Sequence, residues 1–463
     1  MPKKTLIILF VLFPLVIGLA CRFSSKADPT ATPTEEPVVK IATEPPVIPT
    51  ESKSPEKQEE TTTPPPVEIS QDLVVLNQSN LFQEGSETFI GYLINNPSSD
   101  ILYEDVEFTV DFYNSAGGLI DSSYTYLPSF YPNTTYGITA FSFQYDEGVT
   151  VASAEINWTF SGTSSASASE NPFTTDKLRY WENAGNPLVT GKIVNNSSTT
   201  YTKLTANILC FGDDDHIVGG GSAYLDFIHL NDYAGFITYV DAFDEVARVE
   251  AYPTLTYSSK VIDKTDFTSE ISIVNENFVY ESNMGWFYGG LIMKNETESV
   301  LKDNYVQITF YDKDDDIITT GSGYLSALLP GESVGIAPWI STPPDDSIYA
   351  RYDILLLPGK ADAGYELSSN PFKVDSAAIS SDSTYEVIVN FTNTYSKQVS
   401  DLDVYVLVYN ADGKIIGGGD TWVSDPTPAG GSVEVEVWVS YPYSETIASV
   451  KAWVIPNYWT SFE

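Results

Sequence analysis

Cysteine is nearly missing from this chain: Cys21 and Cys210 are the only two in 463 residues. Two thiols cannot build a disulfide framework or a four-cysteine zinc site. Histidine is equally scarce, and neither His216 nor His229 has a cysteine pair nearby, so a zinc site has little support. Basic residues are few as well. Lys and Arg number 23 against 63 Asp and Glu, for a formal net charge of −40. That deficit excludes nucleic acid as a partner, because a phosphate backbone needs clustered cations. It also excludes a polybasic membrane patch. Catalytic signatures are missing too: there is no Gly-x-Ser-x-Gly elbow, no phosphate loop and no His-Glu-x-x-His. The chain is therefore expected not to be an enzyme. Beyond Cys21 no apolar run is long enough to span a bilayer.

What is present begins with an export signal. Lys3 and Lys4 precede an apolar stretch from Leu6 to Ile17, which leads to Gly18-Leu19-Ala20-Cys21. A positive start, a short apolar run and a small residue before the cleavage point are the order of a secretory signal. The ending resembles the bacterial lipoprotein signal, although Gly18 stands where that signal usually has Leu. The resemblance implies a signal peptide over 1–21, lipid on Cys21, and a chain anchored in the membrane on its extracytoplasmic face. An ordinary signal cut near Ala20 is the other reading. Acyl chains anchor by burying methylenes, at about 0.8 kcal/mol each.

Residues 22–68 hold ten of the 28 prolines among Thr, Glu, Ser and Lys, with few large apolar side chains. Such a segment has no core to offset its ordering entropy and is expected to be a disordered linker stiffened by proline.

After the linker the texture becomes period-2 strands broken by turns, as in Val433-Glu434-Val435-Glu436-Val437-Trp438-Val439. One signature recurs: a strand end, a polar turn, then two aliphatics. It starts at Phe112, Phe211, Phe310 and Val408, in steps of 99, 99 and 98 residues. An upstream landmark keeps pace at Asn95-Asn96, Asn195-Asn196, Lys294-Asn295 and Thr392-Asn393. Small residues then lead to an aromatic, as in Gly219-Gly220-Gly221-Ser222-Ala223-Tyr224 and Gly417-Gly418-Gly419-Asp420-Thr421-Trp422. Glycine in a strand signals a bulge or a close backbone approach.

The expected fold is all-β: four tandem immunoglobulin-like β-sandwiches of some seven strands each, over 69–163, 164–264, 265–363 and 364–463. The stretch from Phe310-Tyr311-Asp312 to Gly321-Ser322-Gly323-Tyr324-Leu325, and that from Val408 to Gly419, resemble the FxLYD family and related modules of bacterial envelope proteins. The resemblance implies an extracytoplasmic sandwich and carries no catalytic residues.

Candidate sites are few. Asp312, Asp314 and Asp316 have the alternate spacing that wraps Ca2+ with hard oxygens. Yet Ile317 stands where a calcium loop needs Gly, and Asp is an ordinary turn residue. The run reads as a bare turn or as a weak calcium site, with no other cofactor implied. Trp286-Phe287-Tyr288, Tyr180-Trp181 and Tyr441-Pro442-Tyr443 are the densest aromatic groups, and Trp286 with Tyr288 is the candidate ligand-binding pair. Carboxylate-pair hydrolysis needs two acids a few Å apart in a cleft, and in a fourfold repeat no acid is singular. Cys210, in the strand-like run Ile208-Leu209-Cys210-Phe211, is expected to be buried and inert. The expected function is surface binding, adhesion or scaffolding, with an envelope protein, surface protein or glycan as partner. The alternative is a carbohydrate-binding or solute-capturing accessory protein.

Overall fold

Alternation of apolar and polar residues dictates the strands. In the stretch Val106-Glu107-Phe108-Thr109-Val110-Asp111-Phe112, every second side chain is apolar and buried. A strand sends successive side chains to opposite faces, so one face of this strand meets a core and the other meets water. The computed structural model describes residues 73–143, 149–263, 267, 269–345 and 347–463. The signal peptide, Cys21 and the 22–68 linker lie outside the described residues. The described residues all belong to one compact unit. No α-helix occurs among the described residues. The helical turns are two short 3-10 segments, Ala168–Glu170 and Asn183–Gly185.

The first strand group is β1 (Val74–Gln78), β2 (Phe82–Glu84), β3 (Glu87–Asn95), β4 (Ile101–Tyr113), β5 (Leu119–Phe130), β6 (Thr135–Phe143), β7 (Ser153–Thr159) and β8 (Gly162–Ser165). The second is β9 (Phe173–Trp181), β10 (Leu188–Asn195), β11 (Thr200–Phe211), β12 (Ile217–Ile228), β13 (Tyr233–Tyr239), β14 (Asp241–Ala242) and β15 (Arg248–Ile262). The third is β16 (Ile271–Glu281), β17 (Trp286–Asn295), β18 (Val300–Tyr311), β19 (Ile317–Leu328), β20 (Ser333–Ile336), β21 (Trp339–Ile340), β22 (Arg351–Leu357) and β23 (Lys360–Asp362). The fourth is β24 (Phe372–Ile379), β25 (Glu386–Asn393), β26 (Val399–Tyr409), β27 (Ile415–Val423), β28 (Ser432–Trp438) and β29 (Ser449–Phe462).

One pairing pattern runs through all four groups, and every pair is antiparallel. In the last, β25 lies between β24 and β28, while β26 lies between β27 and β29. The second group repeats it with β10 between β9 and β13, and β11 between β12 and β15. Side chains from both sheets close one core per group, as Val387, Val389 and Phe391 do with Val404, Val406 and Val408. Six main strands recur in every group, and among the described residues the groups hold eight, seven, eight and six strands in all, close to the expected seven. Beyond these six, a short strand such as β14 or β21, or the single bridge Gly418↔Ser440, pairs with the second sheet on the edge opposite its long last strand.

Pairing also corrects the register of the repeat. Phe211 faces Ile217 as Tyr113 faces Leu119, Tyr311 faces Ile317 and Tyr409 faces Ile415. Phe211 is thus the counterpart of Tyr113, not of Phe112. Three positions with left-handed backbone keep the same register. At the hairpin turn they are Gly117, Asp215, Asp315 and Gly413; at the next turn Asn133, Asn231, Gly331 and Gly430; and in the central strand Asp105, Lys203, Asp303 and Asp401. Gly, Asn and Asp tolerate that conformation best, which explains why the turns are rich in them.

The asparagine landmark is a clamp. Asn96, Asn195, Asn295 and Asn393 are each fully buried. The Asn295 amide donates to the carbonyl oxygens of Ser299 and Leu328, both at 2.8 Å, and its oxygen accepts from the Thr297 amide at 2.8 Å. Asn393 does the same with Lys397, Thr427 and Tyr395. Each clamp ties two connections that would otherwise leave buried backbone groups unpaired.

Apolar seams join the groups. Leu209, Phe211 and Ile217 of the second pack with Phe89 of the first. Tyr405, Leu407, Ile415 and Trp453 of the fourth join the core of the third. Gly137, Gly235 and Gly335 occupy one position of the last strand in the first sheet, where it meets the next group. A Cβ on Gly335 would lie 2.5 Å from the Trp453 ring. The counterpart in the fourth group is Glu434, as shown by its pairing with Asn390. At the other end Leu119 is 60% exposed, whereas its counterparts Ile217, Ile317 and Ile415 are fully buried. The outward faces at both ends are thus polar or solvated, as expected of capping repeats.

Candidate functional site

The seam between the third and fourth groups opens at one edge into a cavity of about 420 Å³. That lies within the usual range for small-molecule sites. Its walls combine Trp286 and Tyr288 from β17, Trp339 from β21 and Trp438 from the end of β28, with Gly419 and Asp420 from β27. The candidate pair Trp286 and Tyr288 is therefore brought together, with ring centroids 6.4 Å apart. Neighbouring Phe287 belongs to the third group's core and also borders the cavity.

Local sequence explains the placement. Glu281 and Gly285 close the turn before Trp286, with Gly285 in a left-handed conformation. Alternation along β17 then sends Trp286 and Tyr288 to the seam face. On β27 a Cβ at Gly419 would lie 1.9 Å from the carbonyl oxygen of Trp438. Only glycine lets the segment carrying Trp438 approach this closely. The glycine run thus has the close-approach role its composition suggests.

The rings differ in access. Trp339 is 80% exposed, Trp438 64% and Trp286 47%, while Tyr288 is only 8% exposed. Burial pushes the Tyr288 hydroxyl up to about 12, helped by the charge of Glu281. Glu281 itself is buried and accepts backbone amides of Tyr443 at 2.9 Å and Ser444 at 3.2 Å, pinning the fourth group to the third. Desolvation raises the Asp420 pKa, although the residue keeps an exposed surface. Asp403, on the adjacent strand, is also raised by burial, with Asp420 adding to the shift. Asp403 is held by Asn457 at 2.6 Å and Ser326 at 3.1 Å and is not among the groove-lining residues. The groove thus offers flat apolar faces, backbone polar groups and one carboxylate. That set can stack on and hydrogen-bond a polyhydroxylated ring.

The other sequence candidates lie elsewhere. Asp312 accepts the backbone amides of Asp314 at 2.9 Å and Asp316 at 3.0 Å. Asp314 pairs with Lys313, and Asp316 with Lys177 and Arg179 of β9. Asp315, between them, pairs with Arg351 as Asp215 pairs with Arg248. Among the described residues no three His, Cys, Asp or Glu side chains converge as a metal site. His216 faces Asp214 in the second turn, whereas His229 bonds the Leu356 carbonyl at 2.9 Å and stacks on Phe267. The two histidines serve different surroundings. Cys210 is fully buried, and burial pushes its thiol up to about 12. Trp181 packs against the third group's core.

Sequence reasoning missed Trp339, Trp438 and Asp420. Trp438 ends the clearest alternating strand, on its outward phase, and Asp420 follows the glycine run. Those phases were the available signals. No protein-family model matches this chain, and comparison with curated proteins likewise finds no match.

Proposed function

We propose that this chain is a non-catalytic lipoprotein of the cell envelope that binds neutral carbohydrate at the cell surface. In this reading Cys21 carries the lipid anchor, residues 22–68 form a stalk, and four tandem immunoglobulin-like sandwiches follow over 69–163, 164–264, 265–363 and 364–463. The recurring strand order supports the sandwiches, and the FxLYD likeness concerns their fold. The single observation carrying the binding assignment is the convergence of Trp286, Trp339 and Trp438 on one cavity while all three stay accessible. Exposed tryptophans at a concave site are costly to keep in water and suit a partner with flat apolar faces. The carboxylate Asp420 and the strongly acidic chain disfavour polyanions. The Asp-rich turns act as hairpin turns neutralised by protein cations.

A glycan array with the purified protein tests the binding assignment. Binding to neutral glycans that is lost on Trp286→Ala supports it; binding unchanged by that substitution overturns it. Cell fractionation tests the anchor, since Cys21→Ala should release the protein from membranes and unchanged retention would refute lipidation.

A further inference from the structure

The groove has a counterpart one seam earlier. Between the second and third groups lies a smaller cavity of about 140 Å³, lined among others by Trp339, Ser341, Gly321 and Ser322. These are the positional equivalents of Trp438, Ser440, Gly419 and Asp420. The Ser341 amide bonds the Thr320 carbonyl at 3.0 Å, and the Ser440 amide bonds the Gly418 carbonyl at 2.9 Å, so the two backbones superpose in register. Trp339 is the one ring that lines both cavities, and it is the most exposed tryptophan of the described residues. The smaller cavity is also lined by Tyr224, 79% exposed, and by Asp226 on the same strand. Asp226 is paired with Lys203 at 2.7 Å, so this end holds no free cation in the pair to attract an anion.

Resting on the carbohydrate reading above, we propose that the two cavities form one track for a neutral oligosaccharide chain, with Trp339 as the platform shared between successive subsites. A repeating protein surface suits a repeating ligand: each seam offers an exposed tryptophan from the same position, a glycine-lined floor and a polar side chain, Ser322 or Asp420, so each takes one stretch of sugar. A disaccharide occupies the wide groove beside Trp286 and Trp438. A longer chain crosses Trp339 and reaches Tyr224. The Asp420 carboxylate in the wide groove and the strongly acidic chain leave uronic acid and teichoic chains disfavoured, while Asp226 is already neutralised by Lys203.

Isothermal titration of the full chain in detergent tests this. The probes are chito-oligosaccharides and β-glucan oligosaccharides from disaccharide to hexasaccharide, with hyaluronan oligosaccharides as the acidic control. Affinity should rise by about tenfold or more once the chain spans both subsites. Tyr224→Ala should remove that rise and leave disaccharide binding intact. Trp438→Ala should weaken every length. Trp339→Ala should do both. These side chains are exposed, and circular dichroism of each variant checks that its strands are kept. Binding that is independent of length and untouched by Tyr224→Ala overturns the track while leaving the groove assignment standing. Failure of every neutral sugar to bind overturns the carbohydrate reading itself, and tighter binding of hyaluronan overturns the charge argument.

Discussion

The side-chain amide of Gln307 donates a 2.7 Å hydrogen bond to the carbonyl oxygen of Gly235, across the seam between the second and third strand groups. Asn207 makes the same bond to Gly137 at 3.1 Å, one seam earlier. Both donors stand on the outward face of a central strand, and both acceptors are the glycines that let the next group approach. Gln307→Ala leaves that buried carbonyl without its partner and should cost about 1–3 kcal/mol. Urea unfolding followed by tryptophan fluorescence measures it; a change under a few tenths of a kcal/mol would mean the seam does not depend on this bond.

The asparagine clamps carry a larger expectation. Asn295→Ala removes two donations to backbone carbonyls and one acceptance from a backbone amide. The expected loss is about 2–4 kcal/mol, because each orphaned group costs desolvation energy. Asn295→Asp is the sharper comparison, since it replaces the donor by a charge. It should be at least as destabilising as Asn295→Ala in the same assay.

Between the second and third groups, His229 introduces a pH dependence. Burial lowers its pKa below the ordinary 6.5, outweighing its bond to Leu356 and the charge of Asp232. The folded state therefore keeps the ring neutral while the unfolded state takes up a proton near its ordinary value. Stability should fall as pH drops through 6.5 toward the lowered folded value. His229→Gln should flatten that part of the stability curve relative to the parent. Superimposable slopes would show that the ring contributes nothing to acid lability.

For Cys210 the expectation is silence. A thiol pushed up to about 12 and packed among Val189, Ile208 and Val218 has almost no thiolate at neutral pH. Iodoacetamide should label it only in denaturant. Labelling of the native protein within minutes would place a reactive cysteine where the fold shows an inert one.

Calcium should likewise do little. Asp312, Asp314 and Asp316 already engage amides, Lys177, Arg179 and Lys313. Thermal unfolding in excess EDTA and in millimolar Ca2+ should give the same midpoint. A rise of several degrees with calcium would restore the metal reading of that turn.

Much of the fold was legible in the sequence because it depends on local alternation and turn chemistry. The apolar phase of Val387, Val389 and Phe391, and the Gly, Asn or Asp at each left-handed turn, fix strands without reference to anything distant. The one-residue shift of the second copy was not legible, since Phe211 matches Phe112 by type and only its pairing with Ile217 reveals Tyr113 as its equivalent. The seams left a trace that periodicity could have caught. Ile208-Leu209-Cys210-Phe211 is continuously apolar and buried where its counterpart Val110-Asp111-Phe112-Tyr113 alternates in burial, because only the former is covered on both faces. The groove was half legible. Trp286 and Tyr288 advertise themselves by density, whereas Trp339 and Trp438 join them only because a glycine-lined strand from the next group brings their segments together.

The most direct measurement of the binding assignment is a crystal structure of the protein with a neutral oligosaccharide soaked in at saturating concentration. Sugar rings lying face-on against Trp286, Trp339 and Trp438, with a hydroxyl on Asp420, are the predicted result. An empty groove beside sugar bound elsewhere on the surface would contradict the account.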